Sequence, residues 1–596
     1  MLTVFVTYHY FLGLRNLGII TNTLKVIKQR TGKCIDIEKV PFEAEVFENI
    51  FATGNTNSVF QFESSGMKQM LRQFKPTNIE DIILLVAAYR PGPMQYLDDI
   101  IAVKHGLKKP TYVIPEMASI LGTTYGYPVY QEQIMTIFNK FAGFSLGESD
   151  IIRRYMSKKK TDKFAAYKDK FIDGLIANGA DPYEADQFWR QLLAFSEYAF
   201  NKSHAAAYAF VAYYTAYLKH FYPAEYMCAV LNDSKFEKFG GLINDCKTFN
   251  ISVKQPHVNE SANEFSVSSD GSTIYYGLGL VKSVGKSADL IYNERISNGK
   301  FTSFADFMLR TRCNKTAAEK LIDAGAFDEF TKSRKALFMA VPYYCDLIKK
   351  IQDKKNILEN PEKSEKSKEN AKKAIVTLTE DTYNLLYDEG AEEDIIERLR
   401  NEKESTGAYI SGHPLNSYPK SNEVGAVSID TLTAGKTFTI FGIIKDLRET
   451  NRKSDGAKMA FFTLEDLSGE IEVKCFAPTY AKFGSLVNED GVVKIIGRVD
   501  EEEDLFNTSA EDEEVATKLT LSCKEIHVVE TLKNPICISI KHLAEWNDCQ
   551  DALMGYRDNN GHELHVFVEM DGHIRKSNIK VSKEILKSKK FNIFEV

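Results

Sequence analysis

A change of periodicity at about residue 437 constrains the fold of this chain most strongly. In the stretch GEIEVKCF, Glu470, Glu472 and Lys474 alternate with apolar residues, which is the pattern of a strand with one buried face. The segments FTIFGII, KMAFFTLED, GVVKIIGRV and KLTLSCKEI have the same character. Five short strands within residues 437–528 predict a small barrel of the oligonucleotide-binding type.

The residues before this region follow the longer period of helices. Between residues 10 and 240 apolar residues recur at helical spacing, and RPGP at 90–93 is expected to stop one helix because two prolines fix the backbone. SLGE at 145–148 has capping-box spacing. Residues 277–330 are expected to form a compact helical unit, and 353–373 a solvated helix or linker. The fold class is therefore multidomain α+β, mainly helical before the barrel, with a small α/β appendage after it.

Composition and charge exclude several classes of protein. The chain has 596 residues, 44% of them hydrophobic, which is enough for several cores. It contains no run of about 18 apolar residues, and its N-terminus is a poor match to a signal peptide. Nine cysteines without a Cys-x-x-Cys pair argue against a zinc site and fit a reducing cytoplasm.

The charge of the chain is segregated along the sequence. The net charge is −7, which does not suggest a nucleic-acid binder. However, residues 501–514 contain eight acids and no base, whereas residues 150–170 contain eight Lys or Arg against three Asp. Local patches decide binding to phosphates, so a nucleic-acid function remains open.

The stretch KSHAAAYAFVAYYTAYLKHFY is expected to form one long helix from Ser203 to Tyr222. Ser203 is a good N-cap, and Pro223 ends the helix. A helix N-terminus carries roughly half a positive charge, so Lys202 and His204 add positive charge where it is unfavourable. A bound phosphate would reverse that balance, because helix N-termini with nearby cations bind anions. The alternative is that Lys202 is solvated and that His204 packs or faces water.

Two further groups of cations lie at predicted helix edges. Arg90 precedes the Pro-Gly-Pro turn, which would hold its side chain still, and Arg is the preferred fork for phosphate oxygens. Arg153 and Arg154 are followed by Lys158–Lys160. For the lysine run, a solvated basic surface is the favoured explanation.

A second nucleic-acid pattern lies within residues 277–330. Gly279 and Gly285 allow close approach of the backbone, and SVGKSA would present N–H groups from a helix start, with Lys282 and Lys286 beside them. A helix-hairpin-helix grips a DNA backbone in this way without reading sequence. Ordinary packing of a helical hairpin would explain these glycines about equally well.

The predicted barrel provides a third nucleic-acid pattern. Barrels of this type often bind single strands, and a face with Phe461, Phe462 and Lys474 is the candidate surface. Hydrolase motifs are absent, since the sequence contains neither Gly-x-Ser-x-Gly, nor His-Glu-x-x-His, nor a Walker-type loop.

A series of long motifs now resembles one known family. FLGLRNL, SVFQFESSGM, YRPGPM, YGYPVYQEQIM, GESDIIRRYMSKKK and FNKSHAAAYAFVAYYTAYLK occur in this order. Together they resemble the alpha subunit of bacterial DNA polymerase III, the C-family replicative polymerase. KESTGAYISGHPLNSY at 403–418 resembles the segment that precedes its barrel. The resemblance extends from about residue 10 to about residue 530.

The resemblance implies a domain order and an activity. The expected domains are 1–35, a remnant of the palm; 36–235, fingers; 236–345, a tandem helix-hairpin-helix region; 346–430, a helical linker; 431–530, an OB-fold barrel; and 531–596, a small α/β C-terminal domain. The implied activity is that of a DNA-directed DNA polymerase, which adds dNTPs to a primer 3′ end on a DNA template in chromosome replication. The implied partners are primer-template DNA, dNTPs, a sliding clamp and other replisome subunits in the cytoplasm, with no membrane.

The resemblance also implies a deficit in the catalytic centre. Nucleotidyl transfer uses two Mg²⁺ ions, which are hard cations that need clustered carboxylates. The palm motif Pro-Asp-x-Asp of the family does not occur here, and the third Asp, just before FLGLR, is replaced by Tyr10. We therefore expect no intact catalytic or metal-binding residue and no activity of this chain alone. A truncated or mis-started reading frame is one explanation.

By resemblance, FNKSHA belongs to fingers that bind the triphosphate of the incoming nucleotide. This makes Lys202, Ser203 and His204 phosphate ligands. The further nucleotide-binding candidates are Arg90, Arg153, Arg154 and Lys158. The nearest candidate for a clamp-binding segment is YNLLY at 383–387, for which a partly buried helix stripe is the favoured explanation. Two other functions compete: a non-catalytic DNA-binding protein with the same modules, and an unrelated phosphate-handling enzyme, for which no site is found.

Overall fold

The protein is described by a computed structural model that covers most of the chain. The described residues are 14–157, 161–196, 199–331, 333–385, 393–452, 454–503, 517–529, 535–540, 550, 553, 564–570, 573–581 and 592–595. The chain divides into two compact units, one formed by Met1–Tyr226 with Glu503–Lys518 and the other by Met227–Glu502 with Leu519–Val596. Each unit is described by itself.

The first unit is helical throughout its described part. Its helices are α1 (Arg15–Thr31), α2 (Ala44–Val46), α3 (Ser65–Phe74), α4 (Ile79–Ala88), α5 (Pro91–Met94), α6 (Leu97–Lys104), α7 (Ala118–Leu121), α8 (Gln131–Phe141), α9 (Leu146–Ser157), α10 (Thr161–Ala165), α11 (Lys168–Ala177), α12 (Pro182–Ser196) and α13 (Lys202–Phe221). A π-helical turn, Phe47–Phe51, continues α2. Helix α14 (Pro223–Asp233) crosses from the first unit into the second.

Helix α13 is the organising element of the first unit. Its buried alanines, such as Ala205, Ala209 and Ala212, allow α4 to pack closely along it. Its longer side chains bind backbone of the preceding segment: the Tyr213 hydroxyl donates to Pro41 O at 2.7 Å. Lys219 is fully buried, and its Nζ donates to Asn57 O at 2.7 Å. The helix therefore fixes the loops that precede α3.

Local sequence explains where two neighbouring helices begin. Ser145 and Glu148 form the expected capping box, since Ser145 N–H donates to Glu148 Oε2 at 2.8 Å and Glu148 N–H donates to Ser145 Oγ at 3.2 Å. Helix α4 ends at Ala88, just before RPGP, as expected, but the Pro-Gly-Pro stretch is not a separate turn. Pro91 is instead the first residue of α5, because a proline lacks only an N–H that a first helical turn leaves unbonded anyway.

The second unit begins with a small mixed region. Helix α15 (Phe239–Thr248) is followed by strands β1 (Ser252–Lys254), β2 (Ser266–Val267) and β3 (Thr273–Tyr275), in the order β1-β3-β2. Helices α16 (Ser287–Asn298), α17 (Phe304–Thr311) and α18 (Lys315–Asp323) then form the compact helical unit that the sequence predicted.

Two long helices occupy the region expected to be a linker. They are α19 (Arg334–Glu359) and α20 (Glu365–Tyr383), which pack against each other as a helical hairpin. Helix α21 (Ile395–Thr406) packs against α18. Since α19 runs without interruption through residue 345, the expected boundary at that residue lies inside a helix.

The barrel has the strands that the alternating pattern predicted. They are β4 (Thr437–Asn451), β5 (Lys458–Glu465), β6 (Glu470–Cys475), β7 (Val492–Glu503) and β8 (Thr517–Val528), closed in the order β4-β5-β6-β8-β7. Helix α22 (Ala477–Phe483) lies between β6 and β7 in the chain. In β5 buried and half-buried residues alternate, so the period of two gives one inner and one outer face.

A four-stranded sheet follows the barrel. Its strands are β9 (Pro535–Ile540), β10 (Leu564–Met570), β11 (His573–Val581) and β12 (Asn592–Glu595), in the order β11-β10-β9-β12. Strands β9 and β10 are parallel, and the other two pairs are antiparallel. None of the helices in the described part of the chain is both long and apolar enough to cross a membrane.

Candidate nucleotide site and nucleic-acid surfaces

The start of α13 is held against the start of α8 by a short stretch of parallel pairing. Tyr130 and Phe200 form a bridge, with Phe200 N–H donating to Val129 O at 3.2 Å and Gln131 N–H donating to Phe200 O at 3.0 Å. This pairing decides where the chain turns into a helix. Helix α13 begins at Lys202, and its N-cap is Asn201.

The expected N-cap Ser203 is therefore wrong. Asn201 Oδ1 accepts from His204 N–H at 2.9 Å, whereas Ser203 is exposed inside the first turn. Asn is as good an N-cap as Ser, so local preference alone does not separate the two. The polar end of the helix nevertheless lies where the sequence placed it, at Lys202, Ser203 and His204.

Two carboxylates face the cationic start of α13. Lys202 Nζ lies 2.9 Å from Glu80 Oε2 and 5.5 Å from the ring centre of Tyr130. Glu132 Oε2 accepts from Lys202 N–H at 3.0 Å, and Glu132 Oε1 accepts from Asn201 Nδ2 at 2.7 Å. Burial raises the pKa of the Tyr130 hydroxyl, and the charges of Glu80 and Glu132 raise it further. This end of the helix thus combines cations, backbone N–H groups and two acids.

Arg90 joins the same site through an aromatic row. Its guanidinium lies 4.1 Å from the ring centre of Phe200. The Phe200 ring is 5.4 Å from the His204 ring, and His204 is 4.5 Å from Tyr208. The structure therefore brings Arg90 together with Lys202 and His204, which lie more than 110 positions further along the sequence.

Arg153 and Arg154 lie on α9 and share one acid. Arg153 Nη2 is 2.8 Å from Asp150 Oδ1, and Arg154 Nη2 is 2.9 Å from Asp150 Oδ2. The hydrogen bond from Arg153 lowers the pKa of the Asp150 carboxyl. Lys158, the other predicted ligand here, lies outside the described residues. A role for Arg153 and Arg154 in nucleotide binding stays a prediction.

The turn before α16 is the exposed part of the predicted hairpin. Lys282, Gly285 and Lys286 are exposed, and Gly285 has φ of +44°, which favours glycine. Lys282 N–H donates to Ser405 O at 2.9 Å, and its Nζ lies 3.5 Å from Glu404 Oε1. The hairpin turn, defined here as residues 282–286, therefore offers backbone and two lysines to solvent.

Gly279 has a packing role, unlike Gly285. Its N–H donates to Asn263 O at 2.9 Å, and a Cβ at this position would lie 3.0 Å from that oxygen. Its N–H already has a protein partner, so a role of Gly279 in the approach of DNA stays a prediction. Arg295 supports the same region, since its two terminal nitrogens donate to Val258 O and Ser261 O at 2.7 Å.

The two phenylalanines predicted to share one barrel surface, Phe461 and Phe462, lie on opposite faces of β5. Phe461 pairs with Lys474 of β6 on the outer side and is half-buried. Lys474 is 17% exposed and forms an ion pair with Glu502 of β7. Phe462 is 2% exposed and belongs to the barrel core, so its assignment to a DNA-facing surface is wrong. Adjacent residues of a strand point to opposite faces, which explains the difference.

A cavity of about 540 Å³ lies in the first unit and was not expected from the sequence. It is lined by tyrosines and cations, among them Tyr96, Tyr112, Tyr125, Tyr127, Lys108, Lys109 and Arg190. Asp99 accepts from the Tyr127 hydroxyl at 3.0 Å and pairs with Lys108 at 3.0 Å. Hydrogen bonding from Lys108 lowers the pKa of Asp99, whereas burial raises that of Tyr127.

The described residues do not fit a catalytic metal centre. Over these parts of the chain no group of three or more His, Cys, Asp or Glu side chains is placed to hold a metal ion. Tyr10, the residue at the family's Asp position, lies outside them. We therefore derive no chemical step through Mg²⁺ from this geometry.

Comparison with protein families assigns three regions of the chain. Residues 16–179 match the bacterial DNA polymerase III alpha subunit finger domain. Residues 250–337 match a helix-hairpin-helix motif, and residues 438–529 match an OB-fold nucleic acid binding domain. The finger match begins inside residues 1–35, which were expected to be a remnant of the palm.

Curated relatives agree with these matches. The DNA polymerase III subunit alpha of Borreliella burgdorferi is 35% identical over 562 residues, which is 92% of this chain and 48% of the relative. The corresponding subunit of Aquifex aeolicus is 33% identical over 561 residues, 92% of this chain and 45% of the relative. The resemblance to the bacterial DNA polymerase III alpha subunit is confirmed. The chain spans less than half the length of these relatives.

The helices and turns described above can now be placed on the alpha-subunit domains. Helices α1 to α11 lie within the finger match, whereas Lys202 and His204 on α13 lie beyond it. The hairpin turn lies in the helix-hairpin-helix match, and Phe461 and Lys474 lie in the OB-fold match. The series of quoted motifs, which includes FNKSHAAAYAFVAYYTAYLK, thus extends beyond residue 179, where the finger-domain match ends.

Sequence reasoning missed the acids and the aromatic row at the start of α13. Glu80 carries no local pattern that marks it, whereas Glu132 and Phe200 lie inside quoted motifs that gave them no role. Only the motif YGYPVYQEQIM, which contains Glu132, drew attention to that segment. The pairing of that motif with residues 199–201 is a long-range contact, which a local reading does not reveal.

Proposed function

We propose that this chain supplies the nucleotide-binding and DNA-binding part of a replicative DNA polymerase. In the whole protein this polymerase would add dNTPs to a primer 3′ end on a DNA template during bacterial chromosome replication. The observation that carries the proposal is the convergence of Arg90, Lys202 and His204 at the start of α13, in a chain that also has finger, helix-hairpin-helix and OB-fold matches.

The start of α13 has the groups that a triphosphate needs. Arg90 supplies a planar fork, and Lys202 supplies a point charge beside the positive end of a helix of 20 residues. His204 is exposed on the same turn. We assign the phosphate-binding role to Arg90, Lys202 and His204, with Ser203 beside them, and leave Arg153 and Arg154 as further contacts.

The second unit would hold the DNA. The hairpin turn presents Gly285, Lys282 and Lys286 to a phosphate backbone, which requires shape and charge and no base contact. The outer face of the barrel presents Phe461 beside Lys474, a combination that suits stacking on single-stranded template. The expected partners are therefore primer-template DNA and dNTPs.

Several expectations about the whole protein belong to the same proposal. Mg²⁺ would be held by carboxylates other than the described residues. A sliding clamp and other replisome subunits would be partners, and the location would be the cytoplasm. Of the clamp candidate YNLLY, Tyr383 lies 52% exposed at the end of α20, with its hydroxyl 3.4 Å from Asp306 Oδ1. Its last two residues lie outside the described part of the chain.

Primer extension with the purified chain tests the proposal. We expect it to bind primer-template DNA without extending it, in Mg²⁺ or in Mn²⁺, because Tyr10 occupies the position of a family carboxylate. Tyr10→Asp alone should not restore synthesis, since one carboxylate cannot hold two ions. Binding should weaken steeply with salt, with a log–log slope of roughly −0.9 per phosphate contact.

The outcomes separate the competing functions. Binding of dNTPs at the start of α13 supports a polymerase part, whereas DNA binding with no dNTP binding favours a non-catalytic DNA-binding protein. Extension by the unmodified chain would contradict the assignment of Tyr10. Failure to bind either DNA or dNTPs would contradict both functions.

A further inference from the structure

The start of α13 binds a carboxylate of the same chain, that of Glu132. Both oxygens of Glu132 are used there: one accepts from Lys202 N–H at 3.0 Å and the other from Asn201 Nδ2 at 2.7 Å. Glu132 is the second residue of α8, so it reaches α13 from another helix. A carboxylate thus binds the backbone of the helix end where the proposed function places a triphosphate.

The first consequence concerns position. Because the Asn201 amide donates its N–H to Glu132, its oxygen is turned toward His204 N–H, which it caps at 2.9 Å. Glu132 thereby orients the cap of α13 and fixes the backbone of Lys202. The side chains of Lys202 and His204 consequently project from a backbone that Glu132 holds.

The second consequence concerns charge. Glu132 and Glu80 both lie beside Lys202, and Glu80 reaches its ammonium at 2.9 Å. Two negative charges next to one lysine reduce the attraction of this end for an incoming anion. The Glu132 carboxylate is half-buried, so solvent screens it less than a surface acid.

We propose that Glu132 is a positioning residue of the nucleotide site with two separable effects. Its hydrogen bonds hold the start of α13 in the binding geometry, and its charge limits how tightly the site retains a polyphosphate. The inference rests on the proposed function, because it assumes that a triphosphate binds at Lys202 and His204. A site limited in this way would release a polyphosphate product more readily than the same site without the acid.

Two substitutions separate the effects in the full chain. Glu132→Gln removes the charge and keeps one acceptor oxygen, which can retain one of the two hydrogen bonds, whereas Glu132→Ala removes the charge and both hydrogen bonds. The probes are inorganic triphosphate and a dNTP, with affinity measured by calorimetry. Glu116→Gln serves as a matched control, since Glu116 is an exposed carboxylate of the same unit on another element.

The two substitutions should change the affinity for triphosphate by different amounts. Glu132→Gln should bind inorganic triphosphate about three- to tenfold more tightly than the unmodified chain. Glu132→Ala should bind inorganic triphosphate about fivefold more weakly than Glu132→Gln, because the start of α13 loses the hydrogen bonds that hold it in place. Hydrogen exchange of the amides of residues 202–204 should be faster in Glu132→Ala than in Glu132→Gln, because only the Gln side chain retains an acceptor for this helix start. The Glu116→Gln control should match the unmodified chain.

Each part can be overturned separately. Equal affinity of Glu132→Gln and the unmodified chain would remove the charge effect. Equal affinity and equal exchange of Glu132→Ala and Glu132→Gln would remove the positioning effect. If the unmodified chain binds no triphosphate and Lys202→Ala changes nothing, the proposed nucleotide site itself fails, and the exchange comparison still decides whether Glu132 holds the helix start.

Discussion

The start of α13 and the hairpin turn before α16 are both proposed to bind phosphates, but they are built differently. At α13 every cation has a protein partner: Lys202 pairs with Glu80, Arg90 stacks on Phe200, and His204 packs between Phe200 and Tyr208. The hairpin turn consists of exposed backbone around Gly285, with two exposed lysines.

The difference fits the ligands that we propose for the two regions. A small nucleotide with a concentrated charge requires side chains held in fixed positions, and these are supported by acids and aromatic rings. A DNA backbone presents a repeating charge over a long distance, so a turn of suitable shape with exposed lysines is sufficient. Substitutions in the two regions should therefore differ in size and in the ligand that they affect.

The largest effect is expected at α13. In the full-length polymerase, Lys202→Ala combined with His204→Ala should raise the apparent KM for dNTPs by roughly 100-fold, because two charge-assisted contacts are lost. The affinity for primer-template should change far less. Steady-state kinetics and fluorescence anisotropy measure the two quantities.

Lys140→Ala is the matched control for that experiment. Lys140 is an exposed lysine at the end of α8, in the same unit but outside the site. The assignment of the nucleotide site would be contradicted by an unchanged KM in the double variant. A comparable KM increase in Lys140→Ala would contradict it as well, and in either case the start of α13 could no longer be compared with the hairpin turn as a phosphate site.

A smaller effect, on a different ligand, is expected at the hairpin turn. Gly285→Ala should weaken duplex binding by about fivefold, because φ of +44° is unfavourable for alanine and the turn must change shape. Gly106→Ala introduces similar strain at φ of +73° in the other unit and should leave DNA binding unchanged. Equal loss of binding in both glycine variants would indicate a general folding defect.

Lys286→Ala should reduce the magnitude of the slope of log affinity against log salt concentration by about 0.9.

The barrel extends the comparison to a third surface. Phe461→Ala should weaken binding of a single-stranded oligonucleotide by about fivefold with little change in stability. Phe462→Ala should instead lower the free energy of unfolding by about 3–5 kcal/mol, since this ring fills the barrel core. Oligonucleotide titration and denaturant unfolding distinguish the two. Loss of binding in Phe462→Ala at full stability would contradict its placement in the core.

The last effect concerns how the stability of the second unit depends on pH. Burial lowers the pKa of His413 to about 3, and the charges of Lys403, Lys247 and Lys445 act in the same direction. Its Nδ1 accepts from Leu415 N–H at 3.2 Å. The unfolded chain takes up this proton near pH 6.5 and the folded chain only near pH 3. Stability contributed by the neutral ring is therefore complete above about pH 6.5 and decreases as the pH falls toward 3.

His413→Asn tests this dependence, because an Asn oxygen can also accept from Leu415 N–H. Glu465, with its carboxylate 4.0 Å from His413 Nε2, is present in both proteins. Between about pH 7 and pH 5 the free energy of unfolding of the unmodified chain, measured with denaturant, should fall more steeply than that of the variant, by at most about 1.4 kcal/mol per pH unit. Parallel profiles would show that His413 does not set the acid limit.

The fold was predictable from sequence wherever one face of an element is buried. The period of two located all five barrel strands, and the capping residues Ser145 and Glu148 located the start of α9. The same period also contained the information that Phe461 and Phe462 lie on opposite faces. Treating them as one surface ignored that alternation.

Of the candidate nucleotide site, only the basic residues could be predicted from the sequence. Lys202, His204 and Arg90 are marked by the helix dipole or by prolines, which are local features. Glu132 meets Asn201 across about 70 positions of sequence, and the exact start of α13 depends on the pairing of Phe200 with Val129. Gly279 shows the same limit, because a glycine needed for close packing and one needed at a ligand look identical in the sequence.

The bridge between Tyr130 and Phe200 has a mechanical consequence. It joins the beginnings of α8 and α13, and Arg90 rests on one of its two rings. The start of α8, the start of α13 and the Arg90 side chain are thus linked through Phe200, so a displacement of one is transmitted to the others. A change at Phe200 should therefore disturb the position of Arg90 and the start of α13 together, and with them the nucleotide site that we propose.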